Sequence, residues 1–164
     1  MNAFTAKIIP RLRWRIGGLI GAGVLINYFD RISISVAGPQ LQQAFSLTPA
    51  ELGLLFSAFF WSYALLQIPA GLVLDRFGVT RVGRWGALLW GIASTITACA
   101  SGFAGIFLAR ILLGIAEAPS FPANSKATGY WFPRKERALS TALFDAAAKF
   151  SNVIGVPLVA LAVV

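Results

Sequence analysis

Four charged residues stand inside stretches that are otherwise apolar. Asp30 and Arg31 close the run NYFDR, and Arg110 and Glu117 lie seven residues apart in FLARILLGIAEAPSFPAN, from Phe107 to Asn124. An isolated ion in hydrocarbon costs about 3 kcal/mol or more, so such groups face a bundle interior or a wet cavity. Seven residues make close to two helical turns, which puts Arg110 and Glu117 on one helix face about 10 Å apart. They are too far apart to pair with each other, and each needs a partner on another helix. Asp30 and Arg31 are the candidates. The chemistry on offer is a polar cavity that handles an anion and protons. An arginine can bind a carboxylate through two parallel hydrogen bonds, and a carboxylate withdrawn from water holds a proton more readily. The competing reading is a set of interhelical ion pairs that hold a bundle together, and Arg110 suits that reading best of the four. Tyr63, in the middle of a second apolar stretch, needs a partner for its hydroxyl. Substrate contact and packing both fit it. Asp145 and Lys149 fall near the start of a fifth apolar segment.

The elements that must position these groups are membrane helices. The 164-residue chain is 57% hydrophobic and only 12% charged, whereas a soluble domain carries about 25% charged residues. No charge occurs between Glu51 and Asp75 or between Arg84 and Arg110. Each block can span a hydrocarbon core about 30 Å thick, which takes about 20 helical residues. Five spans follow: Ile16 to Val36, Glu51 to Leu74, Trp85 to Ser101, Phe103 to about Pro122, and a fifth from near Leu139. In Leu47-Thr48-Pro49-Ala50-Glu51, Thr48 is placed to cap a helix, Pro49 to occupy its first turn, and Glu51 to favour its positive end. Gly17 and Gly21 form a small-xxx-small pair that fits a crossing inside the bundle. Pro119 and Pro122 mark a distortion of span four or its end.

The basic residues set the orientation. Lys7, Arg11, Arg13 and Arg15 precede span one; Arg76, Arg81 and Arg84 lie between spans two and three; Lys126, Arg134, Lys135 and Arg137 lie between four and five. The other two connections have none. An excess of lysine and arginine marks cytoplasmic segments, so the N terminus is expected in the cytoplasm. The same distribution explains the net charge of +8 without nucleic acid. Residues 1–15 read as a basic cytoplasmic arm, and residues 16–164 as transmembrane helices 1–5 of an incomplete N-terminal six-helix half. The chain ends fifteen residues after Lys149 and reads as the front part of something larger.

Several function classes recede. More apolar spans follow the first one, so the basic start is not a cleaved signal peptide. There is no histidine, and Cys99 is the single cysteine. Metal-based or histidine-based catalysis has little to work with, and neither an enzyme nor a cofactor is expected. Cys99 reads as a small apolar side chain. Paired carboxylates and arginines suit coupled binding better than a continuous pore.

The stretch GLVLDRFGVTR, Gly71 to Arg81, resembles the signature between helices two and three of the major facilitator superfamily. It keeps Gly71, Asp75, Arg76 and Gly78, but has Val79 and Thr80 before Arg81. NYFDR, SAFFWSYALLQIPAG and AEAPSFPAN resemble the anion:cation symporter branch, and within it bacterial importers of galactonate, glucarate and galactarate. The resemblance covers about Asn27 to Val164. It implies an all-α membrane fold of twelve helices in two six-helix halves, alternating access around a central site, and import of a carboxylate with protons across the bacterial inner membrane. It also implies roles. Arg31 binds the substrate carboxylate and Tyr63 contacts the substrate. Asp30 and Glu117 take up protons, and Arg110 tunes or pairs with one of them. Gly71, Asp75, Arg76, Gly78 and Arg81, with Glu136 and Arg137 at the start of helix five, form the cytoplasmic gate. The partners so implied are a small organic anion, protons, lipid and the C-terminal half of the transporter.

One departure bears on substrate. Sugar-acid members commonly read Asn-Ser-Ala-Gln-Tyr in helix five, where this chain has Asp145-Ala146-Ala147-Ala148-Lys149. Ala148 stands where the family has a substrate-contacting glutamine. Lys149 adds a cation one residue on, to serve a second carboxylate of the substrate or to neutralise Asp145. An aromatic acid or a diacid therefore stands beside a sugar acid as substrate. The rival to transport is a truncated membrane fragment with a structural or regulatory role.

Overall fold

The computed structural model describes residues 10–163. Seven α-helices follow in order: α1 Pro10–Val36, α2 Gly38–Ala44, α3 Pro49–Phe77, α4 Val79–Cys99, α5 Phe103–Glu117, α6 Ser120–Trp131 and α7 Arg137–Val163, with a 3₁₀ turn at Arg134–Glu136 before α7. Among the described residues four stretches are long and apolar enough to cross a membrane: Leu12–Val36, Pro49–Phe77, Phe103–Trp131 and Arg134–Ala162. α4 is less apolar, because Arg81 and Arg84 lie in its first two turns. Its 21 residues still rise about 31 Å.

The start of α3 follows from local chemistry. Thr48 Oγ1 accepts from the Glu51 amide at 3.2 Å, and the Thr48 amide donates to Glu51 Oε2 at 2.8 Å. This reciprocal cap satisfies two backbone donors that the helix itself leaves unpaired. Pro49 sits where its missing N–H costs nothing. At the other end Gly78 ends α3 and begins α4 at φ 81° and ψ 155°, a backbone region that side-chain-bearing residues essentially avoid.

The sequence places the end of span four near Pro122, and the structure revises this. α5 stops at Glu117, the chain turns at Ala118 and Pro119, and α6 resumes at Ser120 and runs to Trp131. Pro122 falls in the first turn of α6, where no intrahelical N–H is needed, so the prolines bend the span and do not end it. The connection between spans one and two also carries α2, a helix the sequence reading leaves out. Residues 10–15 of the basic arm are already helical, as the first turns of α1. Lys7 and the rest of residues 1–9, and the Arg11 side chain, lie outside the described residues.

Two packings hold the bundle. α1 runs along α7, and α3 and α4 both lie against α5. In lipid, close approach of small residues replaces the hydrophobic drive. A Cβ added to Gly155 would sit 3.3 Å from Ile32 and Phe29 on α1, and one on Gly114 would sit 2.6 Å from the Phe59 carbonyl oxygen on α3. Gly17 and Gly21 likewise face Phe132 and Ala147 inside the bundle. Ser151 Oγ on α7 donates to the Leu25 carbonyl of α1 at 2.8 Å. Three apolar clusters follow: Ile34, Leu47, Leu55 and Ile106 at one end; Val24, Phe144 and Ala148 between α1 and α7; Phe59, Ala93 and Leu113 where α3, α4 and α5 meet. Large apolar side chains such as Trp61, Leu65, Ile68 and Leu72 lie on the outside of α3, as suits a surface that meets lipid or other apolar helices.

Candidate functional site

The third cluster borders the charged residues. Arg31, on α1, donates from both Nε and Nη2 to Glu117 Oε2 on α5, at 2.9 and 2.8 Å. Nη2 also reaches Asn27 Oδ1, one turn back on α1, at 3.4 Å. Three aromatic rings enclose the guanidinium: its carbon lies 4.6 Å from the Tyr63 ring centroid and 4.9 Å from those of Tyr28 and Phe59. A cation over an aromatic face is stabilised by the ring quadrupole, more so away from water. Arg110 meets Phe59 as well, at 4.8 Å. Glu117 is 1% exposed and Arg110 3%, so the cluster sits inside the bundle.

Satisfaction is incomplete. Glu117 Oε1 and Arg110 Nε are buried and have no hydrogen-bond partner among the described residues. Among the described residues Arg110 forms no ion pair, and Arg31 takes Glu117. Buried polar groups are nearly always paired, so this site has bonding capacity left for a polar visitor.

Asp30 neighbours Arg31 in sequence but points elsewhere, since successive helical residues diverge by about 100°. Its Oδ2 accepts from Trp90 Nε1 at 2.6 Å and from Ser94 Oγ at 3.3 Å, both on α4. Two cavities open around the site. One, of about 380 Å³, is lined by Asn27, Trp90, Glu117, Ser120 and Asn124 among others. The other, of about 440 Å³, is lined by Asp30, Ser33, Ser94, Thr97 and Arg110 among others.

The structure therefore brings together Asp30, Arg31, Tyr63, Arg110 and Glu117, all read from the sequence. Tyr63 stacks on Phe59 at 5.7 Å and its hydroxyl accepts from Gln67 at 3.1 Å. Lys149 is exposed on α7, and among the described residues it forms no ion pair with Asp145; Ala148 is buried against Val24 and Phe144. Sequence reasoning missed Asn27, Tyr28, Phe59, Trp90 and Ser94. Asn27 carries a legible signal, since a position four residues before Arg31 shares its face. Phe59 and Trp90 look like ordinary membrane-helix aromatics until α1 is docked.

The residues read as a gate lie apart from this cluster. Asp75, at the end of α3, pairs with Lys126 of α6. Glu136 pairs with Arg13 of α1 at 2.8 Å. Arg137 donates to the Gly129 and Phe132 carbonyls at the end of α6, at 2.7 and 3.1 Å. Arg76 lies over Phe77. Gly71 is in the body of α3 with open space beside it, and Arg81 is exposed in the first turn of α4. These links tie α3, α6, α7 and α1 at one end of the bundle.

Residues 20–164 match the model of the Major Facilitator Superfamily. The chain belongs to the Major Facilitator Superfamily. It is 51% identical over 148 residues to the transporter YybO of Bacillus subtilis (strain 168), described as uncharacterized, covering 90% of this chain and 34% of that protein. It is 40% identical over 138 residues to the probable galactarate/D-glucarate transporter GudP of Escherichia coli (strain K12), covering 80% of this chain and 31% of that one. Among solved structures it is similar to the inward-facing, unoccupied crystal structure of a bacterial homolog of the human lysosomal transporter Spinster. There the TM-score is 0.82 at 25% identity, over 87% of this chain and 30% of that one. The chain thus spans about a third of the length of the relatives it matches. Membership of this Major Facilitator family makes it a multi-pass bacterial inner-membrane protein, from a class of carriers and not of enzymes.

Proposed function

We propose that this chain is the N-terminal part of a proton-coupled symporter that imports a small organic anion, with its N terminus in the cytoplasm. The observation that carries the reading is the Arg31–Glu117 pair inside its aromatic enclosure. A guanidinium that turns its Nε and Nη2 donors on one glutamate oxygen is a ready carboxylate site whose occupant is internal. An incoming carboxylate must displace Glu117, and a buried glutamate without its cation is disfavoured as an anion. Glu117 therefore takes a proton as the substrate binds Arg31. Loss of that proton on the inner side restores the internal pair and expels the anion. Asp30 serves as a second proton acceptor, beside Arg110. The end of α3 and the middle of α6, tied by Asp75 and Lys126, form part of the inner gate with Arg76, Gly78, Arg81, Glu136 and Arg137. Tyr63 orients the substrate. Lys149 completes the site from α7 when the rest of the transporter closes over it.

A sugar acid is the substrate class that the probable galactarate/D-glucarate transporter supports. Ala148 stands where the resemblance implies a substrate-contacting glutamine, so an aromatic carboxylate is the second choice. The deciding experiment is uptake by proteoliposomes holding the full-length gene product, under an inward proton gradient, with labelled sugar acids and aromatic carboxylates. Uptake of one acid that collapses with the gradient establishes the symporter. Folded protein with no gradient-dependent uptake across the panel overturns it in favour of an exchanger, an unrelated substrate or an inactive truncated product.

A further inference from the structure

We propose that Phe59 is a positioning residue: its ring holds the guanidinium of Arg31 in place while the Nε and Nη2 donors exchange Glu117 for the substrate carboxylate. The inference rests on the anion-transport reading above and adds a residue to which that reading gives no role. Phe59 is fully buried on α3. The guanidinium carbon of Arg31, from α1, lies 4.9 Å from its ring centroid, and that of Arg110, from α5, lies 4.8 Å from the same point. One ring therefore serves both arginines of the site.

The two arginines differ in what else holds them. Arg31 has Glu117. Arg110 forms no ion pair among the described residues, and its Nε has no hydrogen-bond partner there. A buried cation is costly unless something offsets its lost hydration, and at Arg110 the Phe59 ring supplies part of that offset. At Arg31 the ring matters when the anion changes. An arginine released from its carboxylate regains rotamer freedom, which the next carboxylate must remove again. A phenyl ring attracts the cation through its quadrupole and has no lone pair, so it does not compete with either carboxylate for the donors. Tyr28 and Tyr63 also face Arg31, at 4.9 and 4.6 Å. Each of them adds a hydroxyl that can bond to a polar visitor, whereas Phe59 can only hold.

The ring is itself fixed. Tyr63, one turn further along α3, stacks on it with centroids 5.7 Å apart and planes 16° apart. Phe60 meets it edge to face at 5.3 Å. Ala93 of α4 and Leu113 of α5 pack with it in one buried cluster. α5 also lies directly against its backbone: a Cβ added to Gly114 would sit 2.6 Å from the Phe59 carbonyl oxygen and 3.0 Å from the Tyr63 nitrogen. The tight crossing of α3 and α5 at a glycine thus places the ring beside both arginines.

The test is exchange of labelled D-glucarate, and then of the other acids of the panel, by the full-length protein in proteoliposomes at equal pH on both sides. Phenylalanine carrying increasing numbers of ring fluorines is inserted at position 59. Fluorine nearly keeps the shape of the ring and drains negative charge from its face, so a role in packing alone does not follow the series. The substrate concentration for half-maximal exchange should rise stepwise, to about tenfold at the most fluorinated ring. The maximal rate should change less, the pattern of lost binding. Phe59→Leu removes the ring and should match or exceed the largest effect; the fluorinated series carries the test if that variant does not fold. The same fluorinated residues at Phe60, which is 58% exposed and faces no guanidinium among the described residues, should leave half-saturation unchanged. Half-saturation that ignores the fluorine count at position 59, or that moves equally at Phe60, overturns the role of Phe59 alone. A parent protein that exchanges no acid of the panel overturns the transport reading, and this inference with it.

Discussion

At the scale of residues, the site is an arginine held by an internal anion. Glu117 and Arg31 are 86 positions apart and meet through two hydrogen bonds to one oxygen. A charge-assisted pair of this kind specifies its geometry as well as its charge. Glu117→Gln is therefore expected to abolish gradient-driven uptake while measurable exchange of substrate across the membrane persists, because a neutral amide no longer needs a proton to release Arg31. Counterflow at equal pH on both sides checks this. Arg31→Lys keeps the charge but loses the planar fork. It should weaken anion binding by about 1.5 kcal/mol or more, or about tenfold, read as a rise in the substrate concentration for half-maximal exchange. These residue types were legible in the sequence, because charge inside a long apolar run is conspicuous. Their pairing was less so. The sequence left Arg110 open to either carboxylate, and the structure gives Arg110 the face of Phe59 instead.

At the scale of elements, most of the helices could be read in advance and their junctions only in part. Thr48, Pro49 and Glu51 mark the start of α3 because a capping box is a local structure, complete within four residues. Gly78 marks its end for a similar reason. Its backbone at φ 81° and ψ 155° is nearly exclusive to glycine, and forcing an alanine into it costs about 1–3 kcal/mol. Gly78→Ala should lower the midpoint of thermal unfolding of the purified full-length protein, whereas Thr48→Ala should cost only about 1 kcal/mol. A Gly78→Ala midpoint equal to the parent's would mean that the turn relaxes. α2 and the continuation of α6 were not read. α2 spans seven residues, too short for a periodic signal. For α6, the two prolines read as a distortion or an end, and a proline near a helix start is compatible with the helix that follows.

At the scale of the whole molecule, the chain is a layer of membrane helices bonded at one end by ion pairs and along its length by small residues. The pairs Asp75–Lys126 and Arg13–Glu136 link distant segments. Asp75 is mostly exposed, and a solvated pair adds at most about 1 kcal/mol of stability. Asp75→Lys is accordingly expected to slow transport without a large loss of folded protein, with partial recovery when it is combined with Lys126→Asp. Initial uptake rates and melting curves on the same preparations separate the two effects. On the proposed orientation, with the N terminus in the cytoplasm, both pairs would lie on the cytoplasmic side. An epitope at the N terminus should then resist external protease in intact spheroplasts and become accessible on lysis.

The sequence by itself determined the solvent and the chemistry. Long uncharged runs make membrane helices because unpaired backbone polar groups are intolerable in lipid, and the few charges within them must face inward. Those are one-dimensional facts, set by composition and spacing. Only the tertiary structure decided which charge meets which. Helix periodicity fixes the face a residue occupies but not the helix that face will meet. That choice is made where backbones come close, as at Gly114 against Phe59 and Gly155 against α1. Arg31 against Glu117 and Asp30 against Trp90 join α1 to α5 and to α4 through long side chains, and no local pattern in the chain encodes either contact.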